Sequence, residues 1–332
     1  MLSSDDLITL QFTNDLTEAG INYLCQILPF LNLRYGKISS KNLRKTVSQL
    51  AVELAFRRYI NDQHIPFENL VSGQFTYPFR IELSIGGRKC LLNVKTLRQV
   101  DQILNTPNFP DCLIESRAIL DEDLIQSSNI NDKNLLIFSL LNTFDPPSIK
   151  SPLMDSKRTY PYFIIHTFPE KWSNPRQWKC TKDISVNGSS NCKQKFVISG
   201  LGSKKENLIE EIILNPNEEY KMKSDFYSLS WIQAISPPDG KLTLKKLGSD
   251  QDYFIHPSNW GNIWIYGSDV VLVGFIPLEK YNRMANHYNI ENPLFKPKGT
   301  IIQPTSIPII ELHPLLNLFS HAKTWQTCGK TR

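Results

Sequence analysis

The stretch that decides the fold is Phe79-Arg-Ile-Glu-Leu-Ser-Ile-Gly-Gly-Arg-Lys-Cys-Leu-Leu-Asn-Val-Lys-Thr96. Phe79 to Ile85 is rich in large and branched side chains that partly alternate with polar ones, which is strand chemistry. Gly86-Gly87 tolerates positive φ at both central positions of a tight turn, so the chain can fold back on itself there. Arg88 to Thr96 then returns as a second strand. The hairpin brings Glu82 near Asn93 and Lys95, and the two-residue spacing of Asn93 and Lys95 puts both on one face. A carboxylate, an amide and an ammonium together form a polar surface rather than a core.

Working outward, Ser39-Ser40 offers an N-cap for a helix over about residues 41–60. Its apolar stripe is Leu43, Val47, Leu50 and Leu54, with Glu53 on the flank. Glu53 is either a solvated surface carboxylate or a group looking over a sheet edge. Upstream, residues 6–12 read as a strand and 14–28 as a helix ended by Pro29 and the Tyr35-Gly36 step. Downstream, 96–104 reads as a short helix, while 111–119 and 134–141 read as buried strands. The second is almost wholly apolar, as in a central strand covered on both faces. The first half is thus expected to be an α/β domain, helices on a mixed sheet.

That order of elements resembles the PD-(D/E)XK, or restriction-endonuclease-like, nuclease superfamily. The resemblance covers roughly residues 40–145. It matches Glu82 to the first acid, Asn93-Val94-Lys95 to the Asp/Glu-x-Lys triplet and Glu53 to the helix-borne Glu that the family often adds. It implies a Mg2+ ion held by Glu53, Glu82 and position 93, with Glu82, Asn93 and Lys95 as the catalytic group. Hard oxygen donors suit magnesium, a metal-bound water supplies the attacking nucleophile, and a lysine stabilises charge on the phosphate. Two positions depart from the pattern: Glu82 replaces the usual Asp, and Asn93 replaces a carboxylate, which removes a negative charge beside the cation. Either the chain is a weak or inactive relative, or position 93 is natively Asp. An ordinary hairpin with surface charges accounts for the same residues without chemistry.

Arg57, Arg88, Lys89 and Arg98 are the expected DNA contacts, part of a basic rim that also draws on Lys41, Arg44, Lys45, Arg58, Arg80 and Lys95. The net charge of +5 permits a nucleic-acid partner without requiring one. DNA is the partner the resemblance implies; a protein partner or a second copy of the chain is left open. Two function classes follow. One is a Mg2+-dependent endonuclease of a restriction, defence or mobile-element setting, and the other is a non-catalytic DNA-binding or scaffold protein that keeps the nuclease fold. A third, an interaction protein with no nucleic-acid role, predicts no salt-dependent DNA binding.

The 332 residues suit two domains. Pro146, Pro147, Pro152 and Pro161 mark a linker, giving an expected division into 1–145, a linker 146–160 and a β-rich domain 161–332. All six tryptophans lie beyond the linker. Strand-like runs there are 160–168, 194–200, 208–214, 226–234, 241–247, 252–256 and 262–276, separated by turn signals that include Asn187-Gly188, Asp239-Gly240 and Pro237-Pro238. Helices are expected over 278–287 and 311–322. The aromatic run from Trp260 to Tyr266 reads as core packing around a glycine turn more readily than as base stacking. The six cysteines show no C-x-x-C pair, which predicts reduced thiols and a cytoplasmic setting. The N-terminus shows no secretory signal and no apolar run is long enough to span a membrane. The histidines lack metal spacing, and no P-loop, G-x-S-x-G or G-x-G-x-x-G occurs.

Overall fold

The computed structural model describes the chain apart from residues 36–37, 71–81, 99–108, 121–132, 144–153, 156–157, 160, 175, 177–183, 237, 247–251, 288–304 and 330–332. The elements of the first 145 residues are β1 (Ile8–Gln11), α1 (Asn14–Tyr35), α2 (Ser40–Asp62), β2 (Phe67–Leu70), β3 (Glu82–Ile85), β4 (Arg88–Arg98), α3 (Phe109–Ile114), β5 (Arg117–Ile119) and β6 (Leu135–Thr143). Then come β7 (Met154–Asp155), β8 (Arg158–Thr159), β9 (Ile164–Thr167), α4 (Glu170–Ser173), β10 (Ile184–Gly188), β11 (Gln194–Leu201), β12 (Asn207–Leu214) and β13 (Glu219–Lys221). The last are β14 (Ser228–Ala234), β15 (Leu242–Lys246), β16 (Tyr253–Ile255), β17 (Gly261–Asn262), β18 (Gly267–Pro277), α5 (Leu278–Met284), β19 (Asn286–His287), β20 (Thr305–Pro308) and α6 (Leu315–Gly329).

Two compact units result, and they do not follow the expected division at residue 145 alone. The first gathers Met1–Leu16, Ser48–Asp145 and Tyr266–Arg332; the second gathers Thr17–Val47 and Pro146–Ile265. The physical reason is β18, which is far along the chain yet hydrogen-bonds between β1 and β6. Within the expected linker, β7 pairs with β8 as a short antiparallel ladder.

The first unit is a six-stranded mixed sheet in the order β1-β18-β6-β4-β3-β2. Every pairing is antiparallel except β4 with β6. Gly86 and Gly87 turn the β3–β4 hairpin at φ +56° and +72°, the left-handed values that a two-residue turn of this kind requires. Side chains alternate across the sheet. On one side Leu91, Leu136, Phe138 and Leu140 pack with Leu113 of α3, Ala118 of β5 and Tyr281 of α5. On the other, α2 and α6 cover the strands, with Phe319 of α6 against Phe56 and Tyr59 of α2. Every residue of β6 is buried.

The second unit is a β-sandwich. A five-stranded sheet, β12-β11-β14-β9-β17, faces a four-stranded one, β13-β10-β15-β16. Phe196, Ile198, Ile212 and Ile232 from the first sheet interlock with Ile184, Val186, Leu242, Leu244 and Ile255 from the second. Trp260 belongs to this core and stacks on Phe196 at 6.0 Å between centroids. Trp264 is buried as well, so the aromatic run packs rather than presents its rings.

Several expectations need correction. α1 runs through Pro29 to Tyr35, because burial of Leu24, Ile27, Leu28 and Leu31 outweighs the lost backbone donor. Residues 111–119 are not one strand: α3 ends at Ile114 and only Arg117–Ile119 is extended. The expected helix at 96–104 starts inside β4, which continues to Arg98, and the remainder lies outside the described residues. Asn187-Gly188 closes β10 instead of turning. α6 begins at Leu315, after a 3-10 turn at Ile309–Glu311.

Glu210 ties the sandwich edge together. Its carboxylate accepts hydrogen bonds from the backbone N–H of Lys223 (2.9 Å) and Ser224 (2.7 Å) and from the Tyr220 hydroxyl (3.1 Å). Burial alone pushes its pKa up, but these donors together outweigh burial and hold the carboxyl below the usual glutamate range. A folded pKa below the unfolded one contributes stability above the unfolded value and loses it as pH falls through the folded value. Glu210→Gln is therefore expected to lower the unfolding free energy at neutral pH by about 1–3 kcal/mol. The gap should close below about pH 4, as read from urea denaturation of both proteins across that range.

Candidate functional site

The four side chains expected to surround a metal divide about β4. This strand follows a strict two-residue alternation, so Cys90 and Leu92 lie on one face of the sheet and Leu91 and Asn93 on the other. Glu53 belongs to the first face. With Phe56 and Arg57 of α2 it lines a small pocket closed by Leu83, Cys90, Leu92 and Ile137. Glu53 is 3% exposed, and its Oε1 accepts a hydrogen bond from Gln49 Nε2 at 3.2 Å. The expected view over a sheet edge is in fact a view into the interface between helix and sheet.

Asn93 belongs to the opposite face and is fully enclosed at 0% exposure. Its Nδ2 donates to the backbone carbonyl of Ile119 in β5 at 3.0 Å. Its own carbonyl accepts from Ser139 Oγ at 3.2 Å. Its Oδ1 is buried and meets no hydrogen-bond donor among the described residues. Asn93 thus serves as a tie between β4 and the β5 layer. Lys95, on the same face two residues on, is half-buried and pairs with Leu140 across the parallel ladder. Glu82 opens β3 opposite Leu70; its side chain lies outside the described residues.

Glu53 and Asn93 therefore do not share one ion, and the side chain of Glu82 lies outside the described residues. Protein ligands to one magnesium ion must meet at a single point, about 2.1 Å from each oxygen, whereas the sheet stands between Glu53 and Asn93. Among the described residues no three His, Cys, Asp or Glu side chains are placed to share a metal.

The expected DNA contacts are dispersed too. Arg57 is half-buried in the Glu53 pocket, Arg88 is exposed at the hairpin turn, and Lys89 is half-buried on the opposite face from Arg88. The side chains of Arg98 and Arg80 lie outside the described residues. Cys90, which sequence reasoning passed over, lines the same pocket as Glu53. Burial pushes its thiol up to about 12, so it stays protonated and unreactive. Its two-residue spacing from Leu92, one step out of phase with Asn93 and Lys95, is the signal that could have placed it.

No family model, no characterised protein and no solved structure matches the chain. Among the described residues no helix is long and apolar enough to cross a membrane.

Asn93→Asp tests the tie. The substitution removes the amide donor to Ile119 and puts a carboxylate where water does not reach, raising that carboxyl's pKa. It is expected to cost about 3 kcal/mol at neutral pH. With a folded pKa above the unfolded one, the loss should be small below about pH 4 and grow as pH rises toward the folded pKa. Urea denaturation with and without magnesium reads this; stabilisation by magnesium instead would mean that position 93 ligates the ion.

Proposed function

We propose that the chain is a non-catalytic nucleic-acid-binding protein built on a restriction-endonuclease-like layer. The layer is suggested by the order α2, β2, β3, Gly-Gly turn, β4, α3, β5, β6, with β4 and β6 parallel inside an otherwise antiparallel sheet. The loss of chemistry rests on one observation: Asn93 is wholly enclosed, hydrogen-bonded to Ile119, and on the opposite sheet face from Glu53. A neutral amide replaces the carboxylate, and the helix-borne acid is on the wrong side to assist it. The mildly basic charge of +5 supports a polyanionic partner.

One observation favours the catalytic reading. The unmet Oδ1 of Asn93 is a buried oxygen in the position the resemblance gives to a metal ligand. Both readings keep DNA as partner and differ in hydrolysis.

Incubation of the chain and of Asn93→Asp with supercoiled plasmid and magnesium or manganese separates them. Neither protein is expected to nick the plasmid, while both retain DNA in a filter-binding assay. The affinity should fall with salt on a log–log slope set by the number of phosphates neutralised, about −0.9 for each on duplex. Metal-dependent nicking by either protein reinstates the nuclease, and binding that ignores salt removes the nucleic-acid role.

A further inference from the structure

The outer face of the four-stranded sheet of the sandwich carries lysines and an exposed aromatic ring. β10 lies between β13 and β15, and the ladder registers fix which side chains share the face. Ser185 stands opposite Lys221 on one side and Lys245 on the other. Asn187 stands opposite Glu219 and Thr243, and Thr243 in turn opposite Phe254 of β16. The inward partners of the same strands, Ile184, Val186, Leu242 and Leu244, form the core, so the alternation turns this row to the outer face, where Ser185 and Asn187 are half-buried and Thr243 is covered at 7% exposure.

Lys221, Lys241, Lys245 and Phe254 are all exposed, the phenyl ring at 44%. An exposed aromatic on an otherwise polar sheet has no packing role to explain it. The Lys241 ammonium sits over its ring, 4.5 Å from the centroid. Among the described residues two acids share this face with the three lysines. One is Glu219, which accepts a hydrogen bond from Ser185 Oγ. The other is the exposed Asp252, two residues before Phe254 and one step beyond the Leu244–Tyr253 pair, beside Lys245. The lysines leave the face with a net positive charge. Lys241, one residue before β15, and Lys245 within it are about 13 Å apart at ~3.3 Å per residue. Lys221 lies two strands across from Lys245, roughly 10 Å at ~4.8 Å per strand. Phe254 lies on the edge strand β16, one strand beyond Lys241 and Lys245 and at the opposite edge from Lys221. Phosphates along a backbone crossing the strands can be met at such spacings while a base reaches the ring at that edge.

We propose that this face binds single-stranded nucleic acid, with Lys221, Lys241 and Lys245 on phosphates and Phe254 stacked on a base. Stacking needs a base free of its duplex partner, and every base offers a π-face, so the site tolerates sequence. A base arriving on Phe254 displaces the Lys241 ammonium from the ring onto the adjoining phosphate, which keeps the cation engaged in both states. Charge complementarity favours a polyanion, and the ring favours one that carries bases over an acidic protein. The inference rests on the nucleic-acid reading above and assigns it to a surface.

The test uses the full chain and fluorescein-labelled oligothymidylate, read by anisotropy over a salt series, beside a duplex of equal length and polyglutamate. Oligothymidylate is expected to bind tighter than the duplex. Phe254→Ala should weaken it about tenfold. The combined Lys221→Gln, Lys241→Gln, Lys245→Gln variant should shallow the log–log salt slope by about 2, since each phosphate left without its lysine removes about 0.7 on a single strand. These positions are exposed, and matching circular dichroism melts establish that the variants fold. If the chain binds oligothymidylate and both variants bind it unchanged, this surface is overturned while the nucleic-acid reading stands. Polyglutamate binding as tightly as oligothymidylate, with no effect of Phe254→Ala, assigns the face to an acidic protein and overturns the proposal. Binding to none of the three overturns both, and magnesium-dependent cleavage overturns only the non-catalytic reading.

Discussion

Coverage of β4 on both faces is the constraint on which the first unit depends. The strand is paired on each edge, antiparallel to β3 and parallel to β6, and layered on each side, by helices on one and by β5, α3 and α5 on the other. A strand in that position has no solvent-facing side in its middle. Each of its residues from Cys90 to Asn93 is less than a tenth exposed. Polar atoms there must find partners inside the protein, because an unmet buried donor costs as much as the bond it forgoes. Asn93 meets this with an amide directed at the Ile119 carbonyl, joining the sheet to the layer beneath it.

The same constraint governs chemistry. A cation is held by oxygens that converge, and a two-residue period makes convergence possible only for side chains of one parity. Positions 91, 93 and 95 can cooperate with one another and with the β5 side; positions 90 and 92 can cooperate with α2. Glu53, borne by α2, belongs to the second set with Arg57 and Cys90. An acid able to join Asn93 must come from the strand layer beneath, and the charged groups Glu53 and Arg57 of α2 are committed instead to the helix–sheet interface.

Local chemistry carried much of this architecture. Gly86-Gly87 announced its hairpin because two consecutive positive φ values leave few other residues suitable. Ser39 announced α2, and its Oγ accepts from the Asn42 N–H at 3.3 Å. The apolar run at 134–141 announced a central strand, which forms over Leu135–Thr143. What the sequence concealed was non-local. Nothing in Gly267–Pro277 says that it will pair with residues more than a hundred positions earlier, yet that pairing draws the C-terminal residues into the first unit. Pro29 gave a correct local signal that burial of the surrounding helix overrode. The opposite placement of Glu53 and Asn93 was hidden on a finer point: the face that α2 covers depends on packing that no spacing within α2 or β4 encodes.

The second unit shows the complementary case, in which period two separates structure from surface. Along β10 and β15 the even-numbered residues Ile184, Val186, Leu242 and Leu244 all enter the core, which consumes the hydrophobic information in those strands. The intervening residues stay out of that core and are Ser, Asn, Thr or Lys, although Thr243 is itself covered. Phe254 breaks that rule: its neighbours Tyr253 and Ile255 take the inward duty, so the phenyl ring gains nothing from the core. Large apolar groups set singly on a surface are ordinary. One set on the edge strand beside the two lysines of the β15 segment, with an ammonium already over its ring, is harder to assign to packing, because solubility favours the charges and is indifferent to the ring.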